Sequence, residues 1–99
     1  MSSSLRELHD ATLTSIELEW SVGRVTICFR TANGRIELYA DDVSTLQVPR
    51  ALPWGASSSV NEVKQSTPSS RKARIEIEVQ SGDVIVVEAA SFQWSEGAA

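Results

Sequence analysis

Two stretches of this chain are written on one pattern. Ile16 to Cys28 reads IELEWSVGRVTIC, and Ile75 to Val87 reads IEIEVQSGDVIVV. Glu17 and Glu19 align with Glu76 and Glu78, and Gly23 aligns with Gly82. Each stretch alternates apolar and polar residues, passes a glycine and resumes in a β-rich run. Successive side chains of a strand point to opposite faces of a sheet, so this is the pattern of a hairpin buried on one side. A chain that carries it twice is committed to antiparallel sheet.

The first hairpin implies a register. A two-residue turn at Val22-Gly23 sets Trp20 opposite Val25, Leu18 opposite Ile27 and Ile16 opposite Phe29, six apolar residues on one face. Glu17, Glu19, Thr26 and Arg30 fall on the other face. Asn33-Gly34 is the preferred dipeptide of a type I′ turn and predicts the next hairpin. It places Phe29 opposite Leu38 and Ile27 opposite Ala40 on the core face, with Arg30 opposite Glu37 and Cys28 opposite Tyr39 behind them. Strands over residues 13–20, 24–31 and 35–41 then form a meander that Asp41-Asp42 ends. Leu46 and Val48 suit one further short strand, stopped by Pro49.

In the second stretch, a turn at Ser81-Gly82 or Gly82-Asp83 puts Ile75, Ile77 and Val79 on one face. The returning run VIVVEAA is apolar on both faces until Glu88, as in a strand covered on both sides. Phe92 and Trp94 extend it with Gln93 outward, and the SEGAA tail is expected to fray. Ser4-Leu5-Arg6-Glu7 matches a capping box, which allows one short helical turn; an edge strand through Leu5–His9 is the alternative.

The fold class predicted is all-β: a small antiparallel β-sandwich or partly open barrel of six to seven strands, with at most that one helical turn. Its 99 residues, 41% hydrophobic and 22% charged, suit a single domain with one core and an ordered region over 8–94. The core is predicted to hold Leu13, Ile16, Leu18, Trp20, Val25, Ile27, Phe29, Leu38, Ile75, Ile77, Val79, Val84 and Val86. The single cysteine, Cys28, excludes an intrachain disulfide and reads as a structural thiol in mid-strand. No apolar run of about 18 residues occurs, and MSSSLRELHD lacks the basic and apolar regions of a signal peptide. The expectation is therefore a cytoplasmic protein that does not enter the membrane. A formal net charge of −4 disfavours nucleic acid, whose affinity comes chiefly from neutralised phosphates, and suits a basic protein partner.

Residues 49–73, PRALPWGASSSVNEVKQSTPSSRKA, interrupt the two hairpins. Loops beyond about 12–15 residues tend to be functional or mobile. Residues 64–72, polar and containing Pro68, read as a mobile loop, with Arg71, Lys72 and Arg74 guarding a sheet edge. The earlier half centres on Trp54. One reading makes Trp54 a plug for an open end of the sheet, with Ser57 and Asn61 bonding loop backbone. The other makes it the anchor of a binding surface formed with Gly55, Ser57, Asn61 and Glu62, near His9 and Asp10.

Catalytic chemistry finds little support. His9 is the sole histidine, and on a strand its neighbour Asp10 would point to the other face. Gly55-Ala56-Ser57 lacks the flanks of a nucleophile elbow. His9, Asp10, Asp41 and Asp42 show no metal-ligand spacing. There is no Gly-rich phosphate loop and no interleaving of basic and aromatic residues for RNA. No catalytic residue, metal or cofactor is expected.

Leu8-His9-Asp10-Ala11, Pro53-Trp54-Gly55-Ala56-Ser57, Val60-Asn61-Glu62-Val63 and Gln80-Ser81-Gly82-Asp83, in that order, resemble a family of small, uncharacterised bacterial proteins. That family pairs an HDA motif with a WGxS…(I/V)NEV loop and a QSGD hairpin, and the resemblance spans residues 8–94. The family's motif often has proline after WG, where this chain has Ala56. The family implies no chemistry, though some similar small acidic proteins act as immunity proteins beside bacterial toxins. The function expected is thus a non-enzymatic protein-interaction module, immunity-like, that uses the loop around Trp54. The alternatives are a small-ligand or enzymatic site near His9 and Ser57–Glu62, and a β domain that self-associates into a homo-oligomer.

Overall fold

The computed structural model describes residues 8–32, 34–49, 59–69 and 72–97. They form one antiparallel sheet of six strands: β1 (Thr12–Glu19), β2 (Arg24–Thr31), β3 (Gly34–Gln47), β4 (Val60–Ser69), β5 (Lys72–Val79) and β6 (Val84–Gly97). No helix occurs among the described residues, and Ser4–Glu7 lie outside them. The strand order is β1-β2-β3-β6-β5-β4. It reads as two three-stranded meanders joined through their third strands, β3 and β6.

The sheet is not closed into a barrel, yet its two ends touch at one corner. Thr12 of β1 bridges Ser59, just ahead of β4. The Val60 N–H donates to the Ala11 carbonyl, and the Asp10 N–H donates to the Val60 carbonyl, each at 2.8 Å. Strands at opposite ends of the order can meet only if the sheet rolls up. The rolled face encloses one apolar cluster drawn from all six strands, with Phe29, Ile27, Leu38, Ile75, Ile77 and Ile85 fully buried. Leu8 and Ala11, ahead of β1, are buried with them.

Both early hairpins sit two residues away from the predicted register. Leu18 faces Val25 and Ile16 faces Ile27, so the first loop holds four residues, Trp20 to Gly23. Gly23 takes a φ of +67° there, and its N–H donates to the Glu19 carbonyl at 2.9 Å. In the second hairpin Thr31 pairs with Gly34, so Ile27 faces Leu38, Phe29 faces Ile36, Cys28 faces Glu37 and Arg30 faces Arg35 rather than Glu37. A shift of two keeps every side chain on its face, so alternation alone cannot separate these registers. The cost to the predicted core is local but plain. Trp20 is 86% exposed and Leu18 46% exposed, because both lie beyond the rolled face at the hairpin tip.

Asp41-Asp42 does not end the third strand, which continues to Gln47 and takes in Leu46. Asp42 adopts a φ of +55°, and the register with β6 shifts between Val43 and Thr45. Such irregularities bend a long strand without ending it. The expected loop over 64–72 is, through Ser69, the outer strand β4, paired to β5 from Val60↔Val79 to Ser69↔Lys72. Of the described side chains of this strand, Val60 and Val63 face the core, so a mostly polar strand suffices at this edge. Its register shifts between Ser66 and Ser69, the stretch that includes Pro68, a residue confined to edges and bulges.

At the last turn Ile75, Ile77 and Val79 share the buried face, as predicted. The loop is Gln80 to Gly82, closed by the Val79 N–H donating to the Asp83 carbonyl, with Gly82 at a φ of +97°. Ile85, Val86 and Val87 are all buried, but Val86 lies outside the core cluster and Val84 is only half-buried. Phe92 and Trp94 do extend β6, and Trp94 packs near Phe29 with ring centroids 6.4 Å apart. Ser95 to Gly97, expected to fray, pair with Glu37 to Arg35.

Phe29→Ala is expected to lower the unfolding free energy by about 3–5 kcal/mol, whereas Trp20→Ala should change it by no more than about 0.5 kcal/mol. Denaturant titration of both variants checks this. A larger loss at Trp20 than at Phe29 would restore the two-residue turn.

Candidate functional site

Three places on the surface gather side chains that could do chemistry or bind. The first is the corner where the ends of the sheet meet. Leu8 to Asp10 form a turn, not a strand, with Asp10 at a φ of +69°. The turn brings the His9 Nε2 to 3.8 Å from the Asp10 carboxylate, so the two side chains are not on opposite faces as predicted. His9 Nδ1 lies 2.8 Å from the Asn61 carbonyl oxygen. A carbonyl only accepts, so Nδ1 carries the proton in this bond. Asn61 Nδ2 in turn donates to Glu78 at 3.3 Å, and Glu62 sits across from Glu78 on β5. His9, Asp10 and Asn61 therefore meet at this corner, with Glu62 next to Asn61 on β4. Trp54, Gly55 and Ser57 lie outside the described residues. His9 and Asp10 are mostly exposed, and the corner bonds chiefly staple the first turn to β4.

The second place is the outer face of β1, β2 and β3. Arg24 Nε donates to Asp41 at 2.8 Å, and its guanidinium carbon lies 5.9 Å from the Tyr39 ring centroid, within cation–π range. The Tyr39 hydroxyl donates to the Glu37 carboxylate. Arg35 reaches the same carboxylate at 3.2 Å, and the Cys28 thiol at 3.7 Å. Glu37 thus accepts from three donors, and Cys28 is a half-buried thiol with a partner. A comparable network occupies the outer face of β5 and β6. Arg74 bonds Glu76 and Glu88, each at 2.8 Å, and Lys72 approaches Glu88 at 3.7 Å. Hydrogen bonds to Glu76 and then to Glu88 hold the Arg74 pKa above its ordinary value. In both networks every named cation already has its carboxylate, which makes them braces for the convex face.

The third place has unsatisfied surface. At the tip of the first hairpin, Leu18, Trp20 and Gly23 line a groove with Val43, Ser44, Thr45 and Leu46 of β3. Its volume of about 340 Å³ is at the low end for ligand pockets, which run from about 300 to 1,000 Å³, and it holds one or two side chains. Trp20, Val22, Leu18 and Val48 are the exposed large apolar residues among those described. The groove exists because β2 begins at Arg24 while β3 runs on to Gln47. Past the Val43 N–H, which donates to the Gly23 carbonyl at 2.9 Å, no described strand pairs with β3 on that side. Sequence reasoning missed this site because it placed Trp20 and Leu18 in the core. The signal was the loop itself: Trp-Ser-Val-Gly, with glycine last, suits a four-residue hairpin loop as well as a two-residue one.

Tyr39 offers a clean probe of the outer face, since it is the chain's single tyrosine. Its hydrogen bond to Glu37 raises the phenol pKa above the ordinary value, with desolvation and the Glu37 charge adding to the shift. A raised folded-state pKa means that the phenol's stabilisation is complete below the unfolded pKa and is lost as pH rises through the folded one. Tyrosinate absorbance is expected to titrate above the free phenol, and Glu37→Gln to bring the midpoint down. An unchanged midpoint in that variant would remove Glu37 as the cause.

No family model matches the chain, and no curated protein matches it. Among solved structures, it is similar to an uncharacterized protein from Neisseria gonorrhoeae, at 13% sequence identity with a TM-score of 0.69. The match covers 90% of this chain and 93% of that one. At that identity the likeness is one of fold alone.

Proposed function

We propose that this chain is a non-enzymatic interaction domain that docks a basic protein through the apolar groove at the tip of its first hairpin. The observation that carries the reading is Trp20, 86% exposed between Leu18 and Val22, which are themselves 46% and 65% exposed. Isolated apolar residues on a surface mean little, but these stand together beside the half-buried Val43 and Leu46. A rigid aromatic next to a small apolar cleft is the usual form of an interface hot spot.

Charge indicates what sits there. Glu19 and the exposed Asp42 adjoin the groove residues Trp20 and Val43 in the chain, and the whole chain carries a net charge of −4. Arg24, next to Gly23 in the chain, is bonded to Asp41. A basic partner would gain association rate from this field and affinity from burying Trp20. The immunity-like role that the motif resemblance implies is one form of this reading, with a cationic toxin as the partner. Trp54, the anchor expected from the sequence, lies outside the described residues and enters the proposal only as a sequence-based second contact.

A photo-crosslinking residue in place of Val22 is expected to join the chain to one basic protein in its native host. With Trp20→Ala added, that cross-link should vanish, and the affinity for the partner should fall by about 2 kcal/mol or more, while the unfolding transition stays in place. A cross-link that survives Trp20→Ala, or one formed only between copies of the chain, rejects the reading.

A further inference from the structure

The two outer edges of the sheet are finished differently. On β4, Lys64 sits in the strand, and the register breaks between Ser66 and Ser69, around Pro68. A lysine, a proline and a bulge are the devices that keep an edge from pairing with another chain. On β1, the register breaks early, between Leu13 and Ser15, where the Thr14 hydroxyl donates to the Cys28 carbonyl at 3.0 Å. From Ser15 to Glu19 the ladder to β2 is regular, and no described strand pairs with β1 on its far side. Among the described residues this stretch is an open edge, and it ends at Trp20.

The open stretch is patterned. Ile16 and Leu18 lie on the core side, opposite Ile27 and Val25, and Glu17 and Glu19 on the outer side, opposite Thr26 and Arg24. Arg24 turns to Asp41 instead of Glu19, and Glu17 faces a neutral residue. A second copy paired antiparallel about Glu17 or Leu18 would set glutamate against glutamate, which is destabilising for directly opposed residues. The same two carboxylates favour a strand whose outward residues are lysine or arginine and whose inward residues are apolar.

We propose that the β1 edge receives an extended segment of the basic partner as a seventh strand, with cations opposite Glu17 and Glu19 and apolar residues over Ile16, Leu18 and Trp20. This rests on the docking reading above and assigns its mode: main-chain pairing supplies affinity, and the alternation of glutamates with apolar residues supplies selection. Self-association through β1 is disfavoured by the same charges.

The test uses the intact chain and a short labelled peptide alternating lysine and valine, followed by fluorescence anisotropy. The peptide is expected to bind, and a peptide alternating glutamate and valine is not. In the variant carrying Glu17→Lys and Glu19→Lys, the preference should invert. N-methylation of alternate peptide nitrogens, which removes one hydrogen-bonding edge and leaves the charges, should weaken binding at least about tenfold. If the methylated peptide binds as well as its parent, the contact is electrostatic and the added strand is wrong. Failure of the lysine peptide to bind, or failure of the preference to invert, equally overturns the proposal. The cross-link at Val22 decides the docking reading separately, since it needs only Trp20 and no strand pairing.

Discussion

The ladder between β3 and β6 is what the rest of the molecule depends on. Each of these strands runs past its own meander to pair with the other's third strand, from Arg35↔Gly97 to Gln47↔Val86. β2 flanks only the first half of β3, and β5 flanks only the first half of β6. Without the shared ladder the chain would be two three-stranded pieces with open apolar faces, at the margin of independent stability. Holding both meanders on one rolled face requires the long strands to bend. The bend falls at Asp42, one of the few residue types that tolerates a positive φ, and at the register shift beside it. Rolling then carries the start of β1 to the start of β4, so that Leu8 and Ala11 close the end of the core and His9 reaches Asn61.

The facial pattern of this fold was legible in the residues, and its pairing was not. Alternation put Val25, Ile27, Phe29, Leu38, Ile75, Ile77 and Val79 on the buried face correctly, because period two reports the face and nothing else. Register moves in steps of two at no cost to that pattern, so it had to be settled by turns: the first admits a second loop length, and the second keeps two residues but starts one residue earlier. The polar β4 was unreadable for a related reason. A strand with one neighbour and one open edge needs few apolar residues, and Val60 and Val63 are too few to stand out beside Ser, Thr, Gln and Pro. At the corner, His9, Asp10 and Asn61 meet through a turn that the sequence did not announce, whereas Trp20 was hidden by the very alternation that made β1 easy to recognise.

The apparent repetition of residues 16–28 and 75–87 changes meaning with the topology in view. Those stretches lie in the hairpins β1–β2 and β5–β6, the first of one meander and the last of the other. The architectural repeat instead equates β1 with β4, β2 with β5 and β3 with β6. Sequence likeness and structural equivalence are therefore out of step by one strand. Shared demands explain the likeness: each hairpin turns at a positive-φ glycine, hides one face and shows glutamates on the other. The structural repeat leaves no such trace, because the edge strand β4 carries few apolar residues while β1 alternates apolar with polar ones.

That asymmetry also bears on why a tryptophan stands in water. The predicted register would have buried Trp20 against Val25 and set Ile16 against Phe29. The observed one draws β1 along β2 toward the closed corner, so that Leu13 meets Phe29 and is almost fully buried. Leu8 and Ala11 follow it into the core, and the backbone bonds from Asp10 and Val60 fix the strand's start. Anchoring β1 at that end leaves Leu18 and Trp20 beyond the core at the other. Exposure of the hairpin tip is thus a consequence of how the sheet is sealed, and stability gives no reason for tryptophan at that position. A polar residue would serve a solvent-exposed four-residue loop better. On the docking reading proposed above, a partner covering the apolar tip, set between Glu19 and the open side of β3, would supply the reason that stability does not.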